Sequence, residues 1–124
     1  MITIVPDQPS PTAWSVEFYV DARGRSPVAE FLNALSIAER VEARNALRLL
    51  QEFGTLLGMP HARPLTGHRK LWELRAGPDR LLYFAFIDRR FVILHGFRKR
   101  TQKTPASEIE IAERRMVDLQ ERET

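Results

Sequence analysis

Residues 71–97 read LWELRAGPDRLLYFAFIDRRFVILHGF, and this stretch decides the fold. Three short apolar runs, Leu71 to Arg75, Arg80 to Ile87 and Phe91 to Phe97, are rich in aromatic and β-branched residues. They are separated only by Ala76-Gly77-Pro78-Asp79 and Asp88-Arg89-Arg90. A parallel crossover needs about a dozen residues or more, so these spacers predict an antiparallel meander. Upstream, Trp14 to Val20 reads as a first strand, ended by Asp21-Ala22-Arg23-Gly24. A helix follows from Ser26, with Pro27 in the first turn, where a missing N–H is tolerated. Ser36 and Glu39 have the capping-box spacing, and Ala43, Ala46, Leu47, Leu50 and Phe53 recur as one helical face until Gly54. Leu56 to Lys70 holds Gly58, Pro60, Pro64 and Gly67 without sustained periodicity and reads as a loop. Thr104 and Pro105 are expected to cap a last helix whose Ile109, Ala112, Met116 and Leu119 form one buried stripe. The expected order is β-α-α-β-β-β-α: an α+β domain over 14–124, with helices on one side of an antiparallel sheet. Residues 1–13, with Pro6, Pro9 and Pro11, are expected to form an extended arm.

With 124 residues, 44% of them hydrophobic and 28% charged, the chain suits one globular domain with one core. The longest apolar run, Leu81 to Ile87, is far below the ~20 residues that cross a bilayer, and no basic start leads into an apolar signal segment. No membrane partner is expected. The absence of cysteine excludes disulfides, thiolate nucleophiles and cysteine-based zinc sites, and makes a reducing cytoplasm the default location.

The net charge of +3 conceals an uneven distribution. Residues 1–60 carry five basic against seven acidic side chains, and residues 104–124 carry three against six. Residues 61–103 carry eleven basic side chains against Glu73, Asp79 and Asp88. A concentrated basic field of this kind attracts polyanions, unless acidic neighbours fold against it. Its densest part is Arg98-Lys99-Arg100-Thr101-Gln102-Lys103, which has the composition of a patch that tracks a phosphate backbone.

In the simplest register Arg75 faces Arg80 and Ile87 faces Phe91. Arg75, Arg80 and Arg98 then form one row across three strands, with Glu73, Leu82 and Gly96 in the next. Like charges opposed across a ladder repel by up to ~1 kcal/mol per pair, so an anion held between them would reverse the sign. Guanidinium forks suit phosphate, and Gly96 beside them would admit a ligand backbone. The alternative is that these side chains splay into solvent or pair with Glu73 and the acidic last helix. On the other face the same register aligns Trp72, Tyr83 and His95, a row read either as core or as a source of proton-transfer groups. His61 and His68 fall in the loop, where a nucleic acid could reach them.

The three histidines lack HExxH spacing or a carboxylate cluster, so no metal site and no cofactor is expected. No Walker loop, GxGxxG or Gly-x-Ser-x-Gly elbow occurs, which removes nucleotide hydrolysis, dinucleotide binding and serine-nucleophile chemistry.

The ordered run Lys70-Leu71-Trp72-Glu73-Leu74-Arg75, Arg80-Leu81-Leu82-Tyr83, His95-Gly96-Phe97-Arg98-Lys99 and Lys103-Thr104-Pro105 resembles the HigB-like, phage-associated branch of the RelE/ParE toxin superfamily. The resemblance extends from about Trp14 to Arg122. It implies a small α+β toxin that cuts messenger RNA, usually on the ribosome and without a metal. It also implies a helix-turn-helix antitoxin as partner, with operator DNA bound only through the complex of the two. By analogy the ribose 2′-hydroxyl attacks the adjacent phosphate, leaving a cyclic phosphate and a 5′-hydroxyl. Arg75 and Arg80 match the family's sheet arginines, and Arg98 or Lys99 its basic residue after the last strand. Lys70, Arg69, Arg100 and Lys103 are expected to contact RNA. Glu73 stands where relatives tend to place a lysine, and the last helix has no tyrosine. Tyr83, His95, Lys99 and Lys103 all therefore stay eligible as general acid or base. Two competing readings are a ParE-like gyrase inhibitor on the same fold and an inactive RNA- or antitoxin-binding relative.

Overall fold

The computed structural model describes residues 14–68 and 70–123. In chain order these form β1 (Ser15–Phe18), α1 (Pro27–Asn33), α2 (Ile37–Phe53), β2 (Ala62–Pro64), β3 (Trp72–Ala76), β4 (Asp79–Phe86), β5 (Arg90–Arg98) and α3 (Ala106–Arg122). The α+β class and the element order are as expected, with β2 as an addition. The expected arm at 1–13 lies outside the described residues. No helix among the described residues is long and apolar enough to cross a membrane.

Local chemistry explains the helix ends. Ser26 Oγ accepts from the Ala29 N–H at 3.3 Å and Ser36 Oγ from the Glu39 N–H at 3.2 Å, each satisfying one orphan donor of a first turn. Gly54 ends α2 at φ 56°, and a Cβ there would sit 2.7 Å from the Trp14 ring, so both conformation and space require glycine. The expected cap of α3 differs. Pro105 is its N-cap without a side-chain bond, and the Thr104 hydroxyl donates instead to Glu73 Oε2.

The five strands lie in the order β1-β5-β4-β3-β2. The meander is antiparallel as expected, while β1 joins β5 in parallel, Ser15 beside Arg90 and Phe18 beside Ile93. Arg75 does face Arg80. The second hairpin departs from the simplest register, because Asp88 (φ 60°) and Arg89 (φ 54°) are left-handed and β4 ends at Phe86, opposite Arg90. That turn moves the pairing by two residues, and an irregularity between Leu82 and Tyr83 takes one of them back, leaving a net shift of one. A one-residue shift swaps faces. Arg80 consequently faces Phe97 and not Arg98, Arg98 faces Asp79, Tyr83 faces Ile93, and Leu82 faces His95.

The helices cover both faces of the sheet, not one. Val28, Ala43, Ala46 and Leu50 of α1 and α2 pack on Leu74, Ala76, Leu81, Tyr83 and Ile93. Ile109, Ala112 and Leu119 of α3 pack on Leu82, Phe84, Val92 and Leu94. The physical reason is the unbroken apolar run of β4, which presents large side chains to both sides and needs cover on each. Gly96 lies on the side covered by α1 and α2, where a Cβ would come within 2.6 Å of the Phe31 ring. It serves helix packing and not the approach of a ligand.

Candidate functional site

Short β2 sets the site. Arg63, in its middle, pairs with Glu73 on β3, and Glu73 lies beside Arg75, which faces Arg80 on β4. Side chains two residues apart share a face, so Arg63, Glu73, Arg75 and Arg80 converge at the β2 edge of the sheet. The chain after β5 then crosses this edge and adds Lys99 and Arg100. These groups line a cleft of about 450 Å³ together with His61, Thr101 and Gln102.

Glu73 is the hub. It is 3% exposed, and its Oε1 accepts from Arg63 Nε at 3.1 Å and from Lys99 Nζ at 3.1 Å, with Arg80 Nε 3.9 Å away. Thr104 donates to its second oxygen. Burial pushes the Glu73 carboxyl up, but the hydrogen bonds from Thr104 and Lys99 and the charges of Lys99 and Arg63 outweigh it and hold the group below its ordinary value. It is thus a fixed anion. Arg80 is anchored separately, its Nη1 donating to the carbonyls of Gly77 at 2.7 Å and Asp79 at 2.8 Å. Burial and the neighbouring Arg75 charge lower its pKa. Among the described residues, Arg75 and Arg100 have no ion-pair partner. Five cations therefore surround one carboxylate, leaving a concave surface with a surplus of positive charge, whose guanidinium forks can grip tetrahedral anions.

The structure brings together four residues expected from sequence, Arg75, Arg80, Lys99 and Arg100, and separates the others. Arg98 points to the side covered by α1 and α2, bonded to Glu39 of α2, with its Nε 3.8 Å from Asp79. Tyr83 is 3% exposed between Trp72 and Phe91, and burial pushes its hydroxyl pKa far up. His95 lies under α3, its Nε2 2.7 Å from the Glu108 carboxylate and its Nδ1 3.3 Å from Arg115. Burial lowers its pKa against the raising effect of Glu108. The row of Trp72, Tyr83 and His95 does not form, since Ile93 takes the third place. Lys103 lines a neighbouring pocket with Arg63 and Thr104, Lys70 is exposed on the loop, and Arg69 lies outside the described residues.

Sequence reading missed Arg63 and the organising role of Glu73. Arg63 belonged to the basic cluster but sat in a segment read as loop. Glu73 was visible as a carboxylate in place of an expected lysine and as a possible partner of the arginines, which Arg63, Arg80 and Lys99 bear out in part. Lys99, from the segment after β5, delivers an ammonium to that carboxylate. Among the described residues no group of three or more His, Asp or Glu side chains is placed to hold a metal ion.

The family described as phage derived protein Gp49-like (DUF891) matches residues 30–117, a span that contains every element of the cleft. No curated protein matches the chain.

Proposed function

This chain belongs to the Gp49-like family of phage-derived proteins, within the RelE/HigB-like toxins, and from that premise we propose that it is the toxin of a toxin–antitoxin pair and cleaves messenger RNA. The observation that supports this reading is the cleft, where five cations are arranged around the buried Glu73 carboxylate. An RNA strand lies across β3 and β4, with Arg75 and Arg80 on the non-bridging oxygens of one phosphate and Arg63 and Arg100 on its neighbours. The 2′-oxygen attacks phosphorus as the bond to the 5′-oxygen breaks, giving a cyclic phosphate and a 5′-hydroxyl. Charge developing on the phosphoryl oxygens is met by guanidiniums already in place, the largest single contribution in such reactions. His61, the histidine on the cleft wall, takes the 2′-hydroxyl proton, and Lys99 returns one to the departing 5′-oxygen. These assignments replace Tyr83 and His95 in proton transfer and Arg98 in phosphate binding. The HigB-like subtype, action on translating ribosomes, and a helix-turn-helix antitoxin that carries the pair to operator DNA complete the proposal.

Brief expression in cells, with and without Arg75→Ala plus Arg80→Ala, tests it by mapping new 5′ ends on abundant messengers. New ends inside translated regions that vanish in the double variant are expected. Growth arrest without new ends would favour a gyrase inhibitor, and uninterrupted growth an inactive relative.

A further inference from the structure

At the opposite edge of the sheet lies a second groove, about 480 Å³, between β1 and α2. Four interstrand spacings, about 19 Å, separate its edge from β2. Its floor is apolar, made by Val16, Phe18, Leu32, Ala43 and Leu47. Its rim is Arg40, Arg44 and Arg48, exposed residues one helical turn apart on α2, with no ion-pair partner among the described residues. Three like charges in an i, i+4, i+8 file repel one another, so this rim is unfavourable unless something anionic lies along it.

The backbone beside the groove supplies a second, independent observation. The Ser15 N–H is bonded to Arg89 O at 3.0 Å and the Tyr19 N–H to Ile93 O at 2.9 Å. Alternation along the strand then turns the N–H and C=O of Val16 and Phe18 outward, away from β5. No described strand pairs with that edge. Two residues whose side chains floor the groove thus also carry main-chain donors and acceptors with no partner among the described residues, the arrangement that accepts an added strand.

We propose that this edge binds an extended, acidic segment of a partner protein. The segment adds as a strand to β1, its carboxylates on the face that Val16 and Phe18 turn to α2, along Arg40, Arg44 and Arg48, and its intervening residues on the opposite face. Spacing fits: the arginines rise by about 6 Å each along the helix, and alternate residues of a strand by about 6.6 Å. An apolar floor and outward main-chain groups suit a polypeptide and not a nucleic acid. Charge also selects a separate partner over the chain's own residues 1–13, which carry a single carboxylate, Asp7, against three guanidiniums. The inference is independent of the RNA reading, since none of these residues lines the cleft.

The test titrates the full chain with a labelled ten-residue peptide alternating valine and glutamate, and with a valine–lysine peptide as control. Binding of the acidic peptide alone is expected, weakened at least about tenfold by Arg40→Gln, Arg44→Gln and Arg48→Gln together. The Arg75→Ala, Arg80→Ala variant should keep its affinity within about twofold, and amide exchange at Val16 and Phe18 should slow on binding. Circular dichroism confirms that the exposed-site variant is folded. Binding lost in the Arg75/Arg80 variant but kept in the α2 variant would place the peptide in the cleft and overturn the proposal. So would no binding to either, or a self-associated chain that dissociates when the three arginines are replaced.

Discussion

On one face of the sheet α1 and α2 are held by Val28, Ala43, Ala46 and Leu50, all apolar and buried. On the other, α3 contributes Ile109, Ala112 and Leu119 but is also tied by polar bonds. Tyr19 donates to Asp118 at 2.5 Å, Arg115 to the Leu94 carbonyl at 2.8 Å, and His68 and His95 meet Glu113 and Glu108. The difference is one of proportion, since α2 has one such tie, Glu39 to Arg98 of β5. Apolar burial is strong, non-directional and indifferent to protons, whereas hydrogen bonds fix the pose of α3 over the strands and respond to pH. The cleft borrows from the second kind, because Thr104, just ahead of α3, is bonded to Glu73.

The largest effects are expected on the face covered by α1 and α2. Leu50→Ala, at a fully buried position, should cost about 3 kcal/mol in chemical denaturation, and a loss below about 1 kcal/mol would mean the apolar contacts do not carry that face. Gly96→Ala drives a methyl group into Phe31 and should cost about 2 kcal/mol, with the same measurement as check. A neutral result there would show that α1 can yield. Tyr19→Phe removes one bond to α3 while keeping the ring, and should cost about 1 kcal/mol. The smallest effect is the pH response. The folded state holds His95 below its ordinary pKa, so between that lowered value and ~6.5 the unfolded chain binds the extra proton. This contribution is complete above pH ~6.5 and is lost as pH falls toward the folded value. The melting temperature of the wild type should therefore drop more between pH 7.5 and 5.5 than that of His95→Asn.

Much of this architecture was legible in short-range chemistry. Ser26, Pro27, Ser36 and Gly54 mark helix ends because each acts through neighbours within a few residues, and Ala76-Gly77-Pro78-Asp79 closes the first hairpin for the same reason. The second hairpin was not legible. Ile87 continues an apolar run, and nothing in Ile87-Asp88-Arg89 announces two successive left-handed residues of ordinary type. The one-residue irregularity between Leu82 and Tyr83 was equally silent, and it decided the site: it moved Arg98 and His95 off the faces the simple register assigned, and left Arg75 and Arg80 where they were expected. The unbroken run Leu81 to Ile87 did carry the signal for helices on both faces, although it was read only as a strand. Arg63 and Lys99 meet on Glu73 through a three-residue strand containing Pro64 and a chain crossing, neither of which has a periodic signature.

The parallel pairing of β1 with β5 has a kinetic consequence. Ser15 and Arg90 are 75 positions apart, so closing that loop costs far more chain entropy than either hairpin of the meander. The meander can condense from local contacts, and β1 must then be captured by a finished β5. The β1 groove is therefore expected to mature after the meander, and β1, an edge strand closed by the longest loop of the sheet, to detach more readily than the central strands when the native protein fluctuates. A chain caught partway through folding presents the arginines of its meander while the surface that would receive a partner is still missing.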